Sequence, residues 1–229
     1  GINIGIERLQ TIVDDMIDVS MIDNNLLKLN FQPAQVGQIV AVLRNEVTPI
    51  LQSRKLQIET SEFEGGRQWI YVDTQRVTQA IRNVISNAVK YTPDNGKITI
   101  SGRMLPGFIE VVVEDTGIGI SQEHQSIIFE KFGQVGSVGL HSSGKTKFKG
   151  GGPGLGLSIA RGILEAHGGA IWVESPGYDE KTYPGSTFHI LIPARTESAD
   201  PEMTRLFDTL EKKFKPNVET NTPTHNTAA

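Results

Sequence analysis

The glycine-rich segment from residue 133 to residue 156 places the strongest single limit on how this chain can fold. It contains GLHSSGKT, residues 139–146, which satisfies the phosphate-loop pattern G-x-x-x-x-G-K-[ST] at every position. A phosphate loop needs a buried strand before it and a helix that begins at its Lys-Thr end. Repeated glycines interrupt the preceding segment, and GGGP at residues 150–153 prevents a helix after Thr146. We therefore predict a long loop rather than a phosphate-loop fold.

Composition narrows the possible classes of function. The chain has 229 residues, a formal net charge of −4 and a sequence pI near 5.8, so a basic nucleic-acid-binding face is not expected. It contains no cysteine, which excludes disulfides and thiolate metal sites. No apolar run approaches the roughly 20 residues of a membrane span and no signal peptide is present, so we expect a cytoplasmic location. The first residues of the chain already follow a helical pattern, which suggests that the chain is a fragment of a parent protein. That parent protein could itself be membrane-associated.

The pattern of apolar and polar residues divides the chain into three regions. Residues 1–29 form the first, where apolar residues recur at steps of four and three: Ile2, Ile6, Leu9, Val13 and Met16. This spacing predicts a long helix, and two heptads fit either a coiled-coil seam or one amphipathic helix packed on its own core. Residues 30–194 carry mixed helix and strand patterns. Residues 195–229 are polar, with a short amphipathic helix predicted at 200–215.

The central region alternates helix and strand patterns without a regular βαβ rhythm. Helices are predicted at residues 37–55, from the cap Asp73 to before Pro93, at 122–131 and at 154–167. Strands are predicted at 30–34, in LQIETSEF and QWIYVD about a turn at 65–66, in KITISGRML and FIEVVVED about Pro106-Gly107, and in AIWVES and STFHILIP. We expect an α+β fold, a two-layer α/β sandwich with a mixed sheet, preceded by a long N-terminal helix.

The helix after Asp73 carries polar side chains along one stripe. Asn83, Asn87, Lys90 and Tyr91 stand at i, i+4, i+7 and i+8, whereas valines and isoleucines occupy the opposite stripe. Carboxamide oxygens suit Mg²⁺, an ammonium group suits phosphate, and an aromatic ring suits a base or ribose. A solvated polar face is the alternative interpretation of this stripe.

Two glycine-containing segments suggest further parts of a binding site. In EDTGIGI, residues 114–120, Asp115 ends an apolar strand beside glycines, and a carboxylate placed there can accept from an exocyclic amine. An ordinary Asp-Gly turn explains the pattern equally well. In GGGPGLGLSIARG, Gly154 and Gly156 each weaken the start of a helix by about 1 kcal/mol relative to alanine. That placement makes sense if free backbone amides approach an anion, although a flexible hinge is the alternative.

Taken in their order along the chain, the polar stripe and the two glycine-containing segments resemble the catalytic and ATP-binding domain of bacterial sensor histidine kinases. That domain belongs to the Bergerat-fold (GHKL) group, which also includes gyrase and the heat-shock chaperone ATPases. NVISNAVKYTP resembles its N box, EDTGIGI its first glycine box, IFEKF its F box, GGPGLGLSIA its second glycine box and GSTFHILIP its closing strand. The first 29 residues resemble the second helix of the dimerisation and histidine-phosphotransfer hairpin.

The resemblance implies ATP and Mg²⁺ as cofactors, with Asn87 and Lys90 as catalytic residues. The implied metal ligands are Asn87 and Asn83. The implied nucleotide contacts are Lys90 on phosphate, Tyr91 packed against the nucleotide, Asp115 on the adenine amine, Gly117 and Gly119 around the pocket, the amides of Gly154, Leu155 and Gly156 on phosphates, and Thr187 supporting the adenine pocket. Residues 133–153 are implied to form the mobile ATP lid, from which Lys145 can reach the phosphates.

Two departures from the family pattern qualify this expectation. None of the five histidines, at 124, 141, 167, 189 and 225, lies in a box resembling the phosphoacceptor HELRTP, so we expect ATP binding without autophosphorylation. Gln134 stands where many members carry an Arg after the F box, and the lid lysines 145, 147 and 149 are candidate substitutes.

The expected activity is transfer of the γ-phosphoryl group of Mg-ATP to a histidine on the phosphoacceptor helix of the parent kinase. Asn83 stands where hydrolytic relatives place a water-activating Glu, which favours transfer over hydrolysis. The expected partners are that helix, a response-regulator receiver domain, and a second copy in a full-length homodimer. A GHKL-type serine kinase of the anti-sigma type and an ATP-binding scaffold without kinase activity remain alternatives.

Overall fold

A computed structural model of the chain describes residues 2–133, 148 and 153–197. The elements are α1 (Ile2–Asp23), β1 (Gln32–Gln35), α2 (Val36–Ser53), β2 (Gln57–Thr60), β3 (Trp69–Val72), α3 (Thr74–Tyr91), β4 (Lys97–Leu105), β5 (Phe108–Asp115), α4 (Gly156–His167), β6 (Ala170–Glu174) and β7 (Ser186–Pro193). Several predicted features lie outside the described residues: GLHSSGKT with Lys145, Gln134, most of the predicted lid, and the predicted helix 200–215. None of the described helices has the length and hydropathy required to cross a membrane.

A mixed five-stranded sheet forms one layer of the sandwich, in the order β2-β4-β5-β7-β6. The β2–β4 pair is parallel and the other three pairs are antiparallel. Alternation along β5 buries Ile109, Val111 and Val113 against the helices. The same alternation turns Asp115, the last residue of this strand, toward the helical layer.

The predicted elements differ from the observed ones in two places. The strands predicted about the turn at residues 65–66 both form, but they do not pair with each other: β2 pairs with β4, and β3 pairs with β1. The turn is tied instead to the start of α2, because Gly37 N–H donates to the carbonyl of Gly66 at 2.8 Å. The helix predicted at 122–131 is two single 3-10 turns, Gln122–His124 and Ile127–Phe129. Burial of the second turn explains the break, because Phe129 packs edge-on against Phe188 in the core.

The start of α3 is fixed by a side-chain cap and a buried histidine. Asp73 accepts from Arg76 N–H at 3.0 Å, as the sequence predicts for a helix N-cap, and also from Asn30 N–H at 2.9 Å. His167 at the end of α4 accepts from Asp73 N–H through Nε2 at 3.1 Å, and its Nδ1 contacts the carbonyl of Ile163 at 2.8 Å. Burial lowers the pKa of His167, which favours the neutral ring that this pair of contacts requires. These contacts join the start of α3 to the end of α4.

The last turns of α1 pack on the sandwich. Asp18 forms an ion pair with Arg76 at 2.7 Å and accepts from Gln79, both on α3. Ile22 packs against Gly162 of α4, where a Cβ would lie 2.5 Å from its side chain. Earlier in the helix, Leu9 and Met16 remain exposed. The amphipathic face of α1 is therefore only partly used by the chain's own core.

Candidate functional site

A cavity that is open to solvent lies between α3, the end of β5, the start of α4 and the β6–β7 loop. It is lined by Asn87, Tyr91, Asp115, Ile118, Gly119, Ile120, Ile128, Gly133, Leu157, Tyr178, Ser186 and Phe188. Four of these, Asn87, Tyr91, Asp115 and Gly119, are residues that the sequence predicted for the site.

Asp115 is the buried carboxylate among the described residues that line this cavity. It is 5% exposed, and its carboxylate accepts from Gly117 N–H at 2.8 Å and from the backbone of Ser186. Burial raises the pKa of Asp115 to about 7, against the opposing effect of those two hydrogen bonds. A carboxylate has about four acceptor positions, so two remain for a ligand. The group is therefore an acceptor whose charge changes near neutral pH.

The two glycines after Asp115 allow backbone to pack where side chains would not fit. A Cβ on Gly117 would lie 2.5 Å from Asp115 Oδ1 and 2.6 Å from the carbonyl of Tyr91. Gly119 has a φ of +70°, and a Cβ there would lie 2.0 Å from the carbonyl of Gly177. Both positions need glycine for the wall of the cavity to keep this shape.

The C-terminal half of α3 supplies the second wall. Asn87 and Tyr91 are one turn apart and both line the cavity. Lys90 lies beside them with its ammonium 4.7 Å from the centroid of the Tyr91 ring, but it is not part of the lining. Asn83, one turn earlier, donates from Nδ2 to the carbonyl of Gly156 at 2.9 Å. The predicted stripe therefore divides into two residues on the cavity, a neighbouring cation and an amide that ties α3 to α4.

Arg54 was not predicted, yet it holds the end of α3 in place. Its buried guanidinium donates to the carbonyl of Thr92 at 2.6 Å, to the carbonyl of Val89, and to Asp94 at 2.8 Å. The last carbonyls of a helix have no partner within the helix, and Arg54 satisfies them here. Its position after α2 gives no local sequence signal for this contact. It fixes the segment that carries Lys90 and Tyr91.

The start of α4 approaches the same cavity through Leu157. Gly154 has a φ of +74°, Leu155 is buried, and Gly156 is the first helical residue. Leu155, the residue that precedes α4, makes no side-chain hydrogen bond to the first backbone N–H groups of this helix. The positive end of the helix dipole therefore lies at this end of the cavity.

The closing strand β7 contributes a different residue from the one predicted. Ser186 and Phe188 line the cavity, whereas Thr187 does not, because successive side chains of a strand point to opposite faces. The buried alternation of Phe188, Ile190 and Ile192 is the sequence signal that could have identified Ser186. Other residues missed by the sequence analysis are apolar or aromatic: Ile118, Ile120, Ile128, Leu157 and Tyr178.

Known proteins are similar to this chain over the part that forms the cavity. A family model described as "Histidine kinase-, DNA gyrase B-, and HSP90-like ATPase" covers residues 72–196, which include every residue of the cavity lining. The chain is 31% identical over 200 residues to the probable sensor kinase SilS of Salmonella typhimurium, covering 85% of this chain and 37% of that protein. It is 30% identical over 199 residues to the sensor histidine kinase WalK of Bacillus subtilis, covering 85% of this chain and 30% of that protein.

A solved structure of a histidine kinase has a similar fold. The histidine kinase AdeS of Acinetobacter baumannii has a TM-score of 0.64 at 25% identity, covering 82% of this chain and 80% of that chain. The predicted α+β fold with a mixed sheet is confirmed. The chain spans about a third of the length of the two curated relatives. It belongs to the family of histidine kinase-, DNA gyrase B- and HSP90-like ATPases.

Proposed function

We propose that the chain is the ATP-binding catalytic part of a two-component sensor histidine kinase. In this proposal it holds Mg-ATP and delivers the γ-phosphoryl group to a histidine on a phosphoacceptor helix, from which a response-regulator receiver domain takes it. The observation that carries the proposal is the position of Asp115, buried at the end of β5 and facing a cavity walled by Tyr91 and apolar side chains. Membership in the ATPase family and similarity to sensor kinases support it.

The base end of the cavity suits adenine. The exocyclic amine of adenine is a donor, and Asp115 has acceptor positions left after its two backbone hydrogen bonds. Guanine carries a carbonyl oxygen at the equivalent ring position, and that oxygen would face a carboxylate. Ser186, rather than Thr187, is the β7 residue that we propose to support this contact, because it lines the cavity beside Asp115.

The phosphate end is proposed to lie between α3 and the start of α4. The backbone N–H groups around Gly154, Leu155 and Gly156 and the ammonium of Lys90 would neutralise phosphate charge. Mg²⁺ keeps several waters and takes few protein ligands beside substrate phosphates, so the single carboxamide oxygen of Asn87 fits its requirements. When bound, Mg²⁺ would add charge neutralisation at the phosphates. Asn83 is the weaker candidate ligand, because its amide is bonded to Gly156.

The residues of the cavity favour transfer over hydrolysis. Asp115 is the one carboxylate among the described lining residues, and it is committed to the base end. Asn83 cannot act as a general base for water, since a carboxamide has no basic oxygen at neutral pH. The proton acceptor would therefore belong to the phosphoacceptor helix, and this domain would contribute positioning and charge neutralisation.

Calorimetric titration of Mg-ADP and Mg-GDP into the chain tests the nucleotide site. We expect Mg-ADP to bind at least about tenfold more tightly, because a buried acceptor that loses its donor is left unpaired. Equal affinity for the two nucleotides, or no binding of Mg-ADP, would contradict the proposal. The transfer step is tested with γ-labelled ATP and a separately supplied phosphoacceptor hairpin of the same kinase. Label should appear on the hairpin and not on this chain.

The affinity for Mg-ADP should rise with pH through about 7. With its pKa raised to about 7, Asp115 is mostly protonated at pH 6 and mostly ionised at pH 8, and the ionised form is the stronger acceptor for the adenine amine. The competent fraction changes from about one tenth to about nine tenths, so binding should be about tenfold weaker at pH 6 than at pH 8. An Asp115→Asn variant shares the titration of the ligand phosphates and lacks that of the carboxyl. The same pH profile in both proteins would show that Asp115 is not responsible.

A further inference from the structure

The β6–β7 loop, residues 175–185, brings an aromatic ring to the mouth of the cavity. Tyr178 is part of the cavity lining, yet its side chain is 46% exposed. An aromatic ring with so much exposed surface loses much of the free energy that burial would give it. The ring is placed beside the base end of the site, because Tyr178 forms a β-bridge with Gly119, two residues after Gly117.

The loop is hydrogen-bonded to the segment that follows Asp115. Asp179 N–H donates to the carbonyl of Ile118 at 2.9 Å, and Gly185 N–H donates to the carbonyl of Gly117 at 2.9 Å. Ser175 joins the two segments from its side chain, accepting from Ile120 N–H at 2.9 Å and donating to the carbonyl of Gly185 at 2.7 Å. The position of Tyr178 is therefore set by backbone contacts on both sides of it rather than by packing of its own ring.

Two carboxylates on the loop restrain the conformation further. Asp179 accepts from Lys181 N–H at 2.7 Å and from Thr182 N–H at 3.2 Å, which closes the turn after Tyr178. The hydroxyl of Tyr178 donates to Glu180. A ring whose backbone is already held by these hydrogen bonds needs less further ordering when it packs against a ligand, and that lowers the entropic cost of binding.

We infer that Tyr178 is a binding residue of the nucleotide site, forming the outer wall against which the adenine base packs. This inference rests on the proposed function, because it takes the ligand to be an adenine nucleotide held by Asp115. Tyr178 then supplies stacking surface, whereas Asp115 supplies the hydrogen-bond acceptor. Base–aromatic stacking tolerates different bases, so Tyr178 adds affinity for the base and Asp115 selects adenine.

Substitutions at Tyr178 test the inference, with Tyr183 as the matched control. Tyr183 lies in the same loop and is also partly exposed, but it does not line the cavity. We expect Tyr178→Ala to weaken Mg-ADP binding about tenfold, which is within the range measured for loss of one base-stacking aromatic. Tyr178→Phe should keep the affinity within about twofold, and Tyr183→Ala should leave it unchanged. Tm without ligand should be alike in all three, as a check on the fold.

Three outcomes separate failure of the inference from failure of the proposed function. Equal affinities for Tyr178→Ala and Tyr183→Ala, with binding still lost in Asp115→Ala, would overturn the role of Tyr178 alone. Loss of affinity in Tyr178→Phe as large as in Tyr178→Ala would show that the hydroxyl and its contact to Glu180 matter, and not the ring, which also overturns it. Absence of Mg-ADP binding by the unsubstituted chain would overturn the proposed function itself.

Discussion

Replacing Asp115 by alanine should weaken Mg-ADP binding at least about a hundredfold, the larger end of what one hydrogen bond to a charged group contributes. The substitution removes the acceptor of the adenine amine and also the acceptor of Gly117 N–H and of the Ser186 backbone. Those buried donors would lose the carboxylate that fixes the glycine segment along the cavity. The measurement is calorimetric titration at pH 8, where the carboxyl of the unsubstituted chain is ionised.

Glu114→Ala is the matched control for this substitution. It removes a carboxylate from the adjacent residue of β5, and its exposed side chain points to the opposite face of the sheet. We expect its affinity for Mg-ADP to equal that of the unsubstituted chain. Retained binding in Asp115→Ala, or equal losses in both variants, would contradict the assignment of the base site.

Lys145→Ala separates this site from the phosphate-loop pattern in GLHSSGKT. If Lys145 acts as a lid residue, its loss should weaken binding of Mg-ADP without abolishing it. Binding abolished by Lys145→Ala and unaffected by Asp115→Ala would instead place the nucleotide at GLHSSGKT. The two variants together therefore decide between the two nucleotide sites that the sequence offers.

Local sequence patterns were sufficient for the residues whose placement depends on their own strand or helix. The alternation in FIEVVVED places Asp115 on the inward face, and helical spacing places Asn87 and Tyr91 on one side of α3. The cap at Asp73 was predicted in the same way and is confirmed by its contact with Arg76. In each case the period of the element decides which way a side chain points.

Residues that depend on contacts between distant segments could not be predicted. Arg54 reaches the end of α3 from another element, and Tyr178 reaches the cavity only because its loop pairs with residues 117–120. The pairing of β2 with β4 is equally non-local. Thr187 is a separate case: the family motif identified the strand, but Ser186, one position away, lines the cavity and Thr187 lies on the other face, so the role of Thr187 stays a prediction.

Replacing Asn87 by alanine should remove most of the strengthening that Mg²⁺ gives to nucleotide binding and lower phosphoryl transfer about a hundredfold or more, as loss of one preorganised electrostatic contact does in other enzymes. Asn87 lies between the base end, marked by Tyr91 and Asp115, and the start of α4, to which Asn83 is bonded. At that intermediate position Asn87 would hold Mg²⁺ through its carboxamide oxygen, and the ion would supply charge neutralisation beside the phosphates. The measurement is titration of ADP with Mg²⁺ and with EDTA, beside γ-phosphoryl transfer to the supplied hairpin.

Two neighbouring substitutions make the result for Asn87 specific. Ser86→Ala changes an exposed position on the same turn of α3 and should leave the Mg²⁺ dependence intact. Asn83→Ala removes the hydrogen bond to Gly156 at 2.9 Å, so we expect a lower free energy of unfolding, by about 1 kcal/mol, with the Mg²⁺ dependence retained. If Asn83→Ala instead abolishes the Mg²⁺ effect and Asn87→Ala leaves it intact, the metal ligand is Asn83. The contact between α3 and α4 would then be part of the catalytic site rather than only its support.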